Sequence, residues 1–201
     1  MKLLLFSDLH INLKLAKELV QKSYQVDVVI GAGDFAIMHQ GLQETIDVLK
    51  TITKPTLVIP GNGETYQELQ MAISGWDSCL ALHGTGTQIN GVSYYGIGGG
   101  IPVTPFGDWS FDFTEDEAVD LLYDMPEGGV LISHSPPKNI LDLASSGKNL
   151  GSTTIRNIID VKKPKLVVCG HIHESGGRQQ LHQETLVVNA GPGGIVIELN
   201  A

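Results

Sequence analysis

Short apolar runs that stop at a glycine or a polar residue recur along the chain. The first, residues 2–7, holds Leu3, Leu4, Leu5 and Phe6 and ends at Asp8; its brevity and unbroken apolarity predict a buried strand. The period then changes. Over residues 12–23, Leu13, Ala16, Leu19 and Val20 fall on one helical face, with Asn12 placed to cap it. Residues 26–30 form a second apolar run, closed by Gly31 and Gly33, and a second helix is expected over 40–52. Pro55 then introduces a third strand, 56–59. Strand, helix, strand, helix, strand in this order predicts a parallel α/β sheet.

The middle of the chain has shorter elements. Strands are expected over 80–83, 87–90 and 92–97, and Asn90-Gly91 is a two-residue hairpin signal. Residues 98–113 read as an irregular loop rich in Gly, Pro and aromatics, followed by an acidic helix over 114–123. A strand over 130–133, a helix over 152–161 with Ile155, Ile158 and Ile159 in phase, and a strand over 165–169 complete a second set. The segments 179–182, 186–189 and 195–199 read as antiparallel strands. No linker, repeat or low-complexity stretch interrupts this order, so residues 1–201 are expected to be a single domain of two sheets, each covered by helices on its outer face.

Composition narrows the class. The chain has 201 residues, 42% of them apolar and 17% charged, enough to build a core. Net charge is −9, and between Lys54 and Lys138 there is no Lys or Arg. A groove for a nucleic-acid polymer needs basic residues, so such a partner is not expected. Two cysteines, Cys79 and Cys169, make no disulfide framework and fit a reducing compartment. No apolar run is long enough to span a membrane, and the N-terminal run ends too early for a signal-peptide core. A cytoplasmic protein is expected.

Residues with metal-ligand chemistry recur just after the buried strands: Ser7-Asp8-Leu9-His10, Gly33-Asp34, Gly61-Asn62-Gly63-Glu64, Ser133-His134 and Gly170-His171-Ile172-His173. The carboxyl ends of parallel strands share one edge of a sheet, and ligands bind there, so these sets are expected to converge. Two carboxylates, one amide and four imidazoles suit Mn²⁺ first, with Fe, Zn²⁺, Ni²⁺ or Co²⁺ as alternatives. Seven donors are too many for one ion and suit two, bridged by a carboxylate. Two divalent ions bring +4; Asp8, Asp34 and a bridging hydroxide leave about +1, a cavity for an anion. That charge and a metal-activated hydroxide predict phosphoester hydrolysis without a protein nucleophile.

The order Asp-x-His, Gly-Asp, Gly-Asn, His, Gly-His-x-His, with Val188-Asn189-Ala190-Gly191-Pro192 near the end, resembles the calcineurin-like metallophosphoesterase family over most of the chain. The resemblance implies a four-layer α/β/β/α sandwich with two mixed sheets. It also implies a first ion on Asp8, His10 and His173, a second on Asn62, His134 and His171, and Asp34 between them. Asn62 and His134 are the candidates to act at the reacting phosphoryl group. Similar proteins usually carry a His after Gly-Asn, where this chain has Gly63; that His is thought to act as the acid, and its absence implies one of three things: leaving groups that need no proton, a substitute such as His39 or Glu64, or little activity. The missing side chain is also expected to open space beside the ions.

Other features have plainer readings. His39, His83 and His182 read as surface or hairpin residues, and Cys169 as an apolar filler. Phe106, Trp109, Phe111 and Phe113 read either as a substrate wall or as tacks holding the long loop. Glu174 is a candidate to steady His173, and Lys138 and Lys148 are candidates to reach a substrate phosphate. The expected partner is a small phosphoester, phosphodiesters above others, and an open sheet edge leaves room for pairing with a second copy. The alternative function is a protein-binding scaffold of the same fold with weak or absent activity; a nuclease suffers from the acidic charge.

Overall fold

A computed structural model describes residues 1–199. Its first half runs β1 (Lys2–Phe6), α1 (Leu13–Ser23), β2 (Val28–Gly31), α2 (Leu42–Leu49), β3 (Thr56–Val58), α3 (Tyr66–Ala72), β4 (Cys79–Ala81). The second half runs β5 (Thr85–Ile89), β6 (Val92–Ile97), α4 (Glu115–Leu121), β7 (Val130–Ser133), α5 (Thr153–Lys162), β8 (Leu166–Cys169), β9 (Arg178–His182), β10 (Thr185–Asn189), β11 (Ile195–Glu198). One sheet has the order β11-β1-β2-β3-β4 and the other β5-β6-β7-β8-β10-β9. Each has a core of parallel strands with antiparallel strands at an edge, so both sheets are mixed.

Alternation along the strands explains the layers. In β1, Leu3 and Leu5 face the second sheet, and Leu4 and Phe6 face α1, α2 and α3. In β8, Leu166 and Val168 join the layer between the sheets, and Val167 and Cys169 face α4 and α5. Both faces of each central strand are therefore buried, which is why the strands read as unbroken apolar runs. Cys169 is a filler in the outer layer, with its thiol pushed well above the ordinary range by burial. Among the described residues no helix is long and apolar enough to cross a membrane.

Local signals place the ends. Asn12 Oδ1 accepts the amide of Leu15 at 3.1 Å and starts α1, and Ser152 caps α5. The Asn90-Gly91 turn has φ of 52° and 79°, the two left-handed residues that a tight hairpin requires.

Two elements differ from expectation. Helix α3 was not anticipated; Thr65 and Glu68 form a complete capping box that starts it. Strand β10 pairs parallel with β8 and antiparallel only with β9, because the chain first runs back as the outer strand β9 and the hairpin into β10 then fills the place beside β8. His171 and His173 follow the strand as expected: β8 ends at Cys169, His171 takes φ of 64°, and His173 opens a short 3₁₀ turn.

Candidate metal centre

The parallel strands of both sheets end on the same side of the molecule, and all seven expected ligand residues come from the loops there. Asp8 and His10 follow β1, Asp34 follows β2, Asn62 follows β3, His134 follows β7, and His171 and His173 follow β8. Asp8, His10, Asp34 and His171 have φ between 44° and 64°. A non-glycine residue in that region costs on the order of 1–3 kcal/mol. Four such residues in one place mean that the chain accepts strain to turn these side chains off the strand ends.

The donors converge. His10 Nε2 lies 3.1 Å from His173 Nε2, and His173 Nε2 lies 3.8 Å from Asp8 Oδ1. His134 Nε2 lies 3.3 Å from Asn62 Oδ1. Asp34 Oδ2 stands between the two sets, 3.6 Å from His10 Nε2 and 3.5 Å from His134 Nε2. The rings of His134 and His171 meet edge to face with centroids 5.0 Å apart. Asp8, His10 and His173 form one group that could hold an ion, and Asp8, Asp34 and His134 another. Two imidazole nitrogens bound to one ion at ~2.1 Å stand about 3.0–3.4 Å apart, the spacing of His10 and His173. The donor set fits divalent cations of the oxygen and nitrogen type.

Close backbone packing holds the carboxylates in place. A Cβ on Gly170 would lie 2.5 Å from Asp8 Oδ2 and 2.6 Å from Ser7 Oγ, and one on Gly61 would collide with the Asp34 carboxylate. Gly63 N donates to Asp34 Oδ1 at 2.8 Å, and His171 N donates to Asp8 Oδ1 at 3.0 Å. His134 Nδ1 faces Ala32 O at 2.8 Å, which leaves Nε2 aimed at the centre. His10 Nδ1 faces Ala36 O at 3.2 Å to the same effect. Asn189 Nδ2 bonds Gly170 O and Ile172 O and ties down the loop that carries both histidines.

The charges are coupled. Burial works against the Asp34 carboxylate, but His134, His10 and the Gly63 amide outweigh it and hold Asp34 well below the usual carboxylate range. Burial likewise opposes charge on His134, yet Asp34 and Asp8 push it up to about 9. His171 goes the other way, down to about 4, through burial and the neighbouring His134 charge.

Two residues behind the ligands were not foreseen in these roles. Glu64 is fully buried, and its carboxylate accepts the amides of Asp34 at 2.9 Å, Ala36 at 2.9 Å and Gly61 at 2.7 Å. It joins the loops after β2 and β3 from behind. Burial and Asp34 push Glu64 up to about 7, while the Gly61 and Ala36 amides pull it down. Ser110 Oγ accepts from Asn62 Nδ2 at 3.1 Å and so orients Asn62 Oδ1 toward His134. No local pattern marks Ser110; the only signal for Glu64 was its place in the Gly-Asn-Gly-Glu run.

Neither expected replacement for the missing acid is free. Glu64 is enclosed behind the site. His39 has both ring nitrogens on oxygens, Nδ1 at 2.8 Å from Glu68 Oε2 and Nε2 at 2.6 Å from Trp109 O. The Glu68 carboxylate raises its pKa, and the two contacts make the ring a clamp between α3 and the aromatic loop. Gly63 does not border an open void: a Cβ there would sit 3.2 Å from both Ala36 O and Asp34 Oδ1.

The remaining candidates fall outside the centre. Glu174 Oε1 accepts from Ser145 N at 3.0 Å, which ties its carboxylate to the loop at Ser145. Lys138 Nζ turns to Asn149 O. His83 is no surface residue: it packs against Tyr66, Phe111 and Phe113. His182 lies on β9, with Nε2 3.5 Å from Asp160 Oδ1.

A cavity of about 340 Å³ opens from His10, Asp34, Asn62 and His171 toward Phe106, Trp109 and Leu150. A larger hollow of about 560 Å³ lies between α4 and α5, lined by Val119, Tyr123, Ile158 and Val161 among others, with no carboxylate or imidazole. A further cavity of about 360 Å³ borders Asp8, His10 and His173, so the converging donors open onto two cavities and not onto the hollow between α4 and α5.

Comparison with known proteins agrees with this geometry. Residues 1–198 match the calcineurin-like phosphoesterase superfamily domain. TT1561 of Thermus thermophilus is similar with a TM-score of 0.73 at 18% identity, over 96% of this chain and 90% of that one. A phosphopantetheinyl hydrolase from Mycobacterium tuberculosis is similar with a TM-score of 0.61 at 15% identity, over 94% and 88%. A dimetal phosphatase from Danio rerio gives 0.56 at 11%, over 94% and 86%. At these identities the likeness is one of fold. No match to the chain is found among curated proteins.

Proposed function

Because the chain belongs to the calcineurin-like phosphoesterase superfamily, we propose that it hydrolyses phosphoesters, phosphodiesters above others, at a centre of two divalent cations. The observation that carries the reading is Asp34 Oδ2 standing within 3.6 Å of His10 Nε2 and 3.5 Å of His134 Nε2, between two groups of donors. In this reading Asp8, His10 and His173 hold one ion, Asn62, His134 and His171 hold the other, and Asp34 is shared. When bound, such a pair supplies a hydroxide nucleophile at neutral pH and draws charge from the phosphoryl oxygens. Mn²⁺ is the proposed metal, since the donors are oxygens and imidazoles without a thiolate.

The protein's own part is positioning and charge. Ala32 O and Ala36 O fix the rings of His134 and His10. The Asn62 side chain, held by Ser110 with Oδ1 toward His134, is the group that would act at the reacting phosphoryl group. The cavity lining has no Lys or Arg, and it includes the carboxylate of Glu174. Glu64, once ionised, adds a further negative charge behind Asp34. This balance favours a singly charged diester over a dianionic monoester. The absence of a free acid near Gly63 favours leaving groups that depart without a proton.

The reading also takes residues 1–201 as one domain and the protein as cytoplasmic, in keeping with two unpaired cysteines. The test is hydrolysis of bis(p-nitrophenyl) phosphate with Mn²⁺, with and without chelator, in the protein and in Asp34→Asn. Turnover that vanishes with chelator and falls at least about 10²-fold in the variant supports it. Binding of Mn²⁺ with no turnover on a broad ester panel would favour a scaffold instead.

A further inference from the structure

We propose that the loop joining β6 to α4 makes the cavity selective for a phosphoester bearing one phosphate and a flat aromatic group, which packs on Phe106 and Trp109. The inference rests on the hydrolase reading above and deepens it by naming the substrate class. The cavity has two unlike sides. His10, Asp34 and Asn62 form one, and Phe106, Trp109 and Leu150 the other. An ester whose phosphorus lies at the donors has its organic group against the rings.

The rings are arranged as a surface. Phe106 and Trp109 stack with centroids 5.7 Å apart and planes inclined by only 14°. Phe106 remains 51% exposed and Leu150 44% exposed, so an apolar face at the mouth of the cavity is left in water. Covering such a face is favourable in proportion to its area. A planar group laid on it gains further from ring stacking, about tenfold in affinity.

The face is held in place before any ligand arrives. His39 Nε2 donates to Trp109 O at 2.6 Å, and Phe111 N donates to Asn62 O at 3.0 Å. Asp112 Oδ2 accepts from Thr104 N at 2.8 Å and from Thr104 Oγ1 at 2.6 Å, closing the loop on itself. Ser110 in the same loop contacts Asn62. The loop that carries the wall is therefore pinned by two hydrogen bonds to the loop after β3 that carries Asn62, and rigid sites lose less entropy on binding. His39 is a positioning residue in this account.

Charge sets the rest of the class. No Lys or Arg lines the cavity, and Glu174 is among the residues that line it. A second phosphate on the organic group would meet that carboxylate without a cation to offset it. The substrate is accordingly an aryl or similarly flat ester with a single phosphate.

The experiment measures binding of phenylphosphonate and methylphosphonate to the Mn²⁺-loaded protein by calorimetry. The two probes share a head group and differ in the ring. Phenylphosphonate is expected to bind about tenfold tighter, and Trp109→Ala or Phe106→Ala to bring the ratio toward one, while Trp109→Phe keeps it. Phe106 is exposed, so Phe106→Ala leaves the fold intact. Equal affinities in the parent protein, or a ratio unmoved by both alanine variants, would overturn the proposal. Turnover of bis(p-nitrophenyl) phosphate is followed in the same preparations. Preference without turnover leaves the aromatic subsite standing and removes the hydrolase reading; turnover without preference removes the subsite alone.

Discussion

Asp8 and Asp34 rest on glycine backbone, and that contact decides how much can change at the centre. Gly170→Ala would thrust a methyl group to 2.5 Å from Asp8 Oδ2. Displacing a ligand through its support costs about 10–100-fold in metal affinity. The expected result is a drop of that size in Mn²⁺ affinity by calorimetry, with an unchanged far-ultraviolet dichroism spectrum. Glu64 works from the other side. Its two oxygens accept three amides, and Glu64→Gln would turn one oxygen into a donor facing a donor. Leaving a buried amide unmatched costs about 1–3 kcal/mol. Thermal melting should fall accordingly without metal, and a variant as stable as the parent would contradict the role given to Glu64.

At the scale of elements, the strands were legible in the chain because both of their faces are buried, so Leu3 to Phe6 or Leu166 to Cys169 stand as continuous apolar runs. Helix α3 was harder to see. It has only seven residues, and its start is written in Thr65 and Glu68 rather than in an apolar period. Thr65→Ala should cost about 1 kcal/mol through the lost cap, a fall of roughly 2–4 °C in melting temperature for a chain of this size. The candidate donors stood out in the chain because each follows a strand end. Ser110, Glu64 and the clamp at His39 were not, because their partners lie tens of residues away and only the fold brings them together.

The aromatic segment behind β6 gives a pH prediction. His83 accepts from Gly98 N through Nδ1 at 3.1 Å, and burial lowers its pKa to about 4. The unfolded chain has a His near pH 6.5. Between those values the unfolded state binds more protons, so stability is complete above pH 6.5 and declines as pH falls toward 4. His83→Asn keeps an acceptor and removes the titration. The variant should lose less melting temperature than the parent between pH 7 and pH 5; an equal or greater loss would contradict the assignment.

For the whole molecule, the layer between the sheets draws on β1, β2 and β3 from one and β6, β7 and β8 from the other. That shared core predicts one cooperative thermal transition, with calorimetric and van't Hoff enthalpies in agreement. The loops of both sheets meet at the proposed ions, so metal binding should stabilise the whole chain as well as the site. The most direct measurement is anomalous diffraction from a crystal soaked in Mn²⁺. Two peaks about 3.5–4 Å apart, with Asp34 between them and Asp8, His10, His173, Asn62, His134 and His171 within bonding reach, are the expected result. A single peak, or ions bound away from Asp34, would contradict the account.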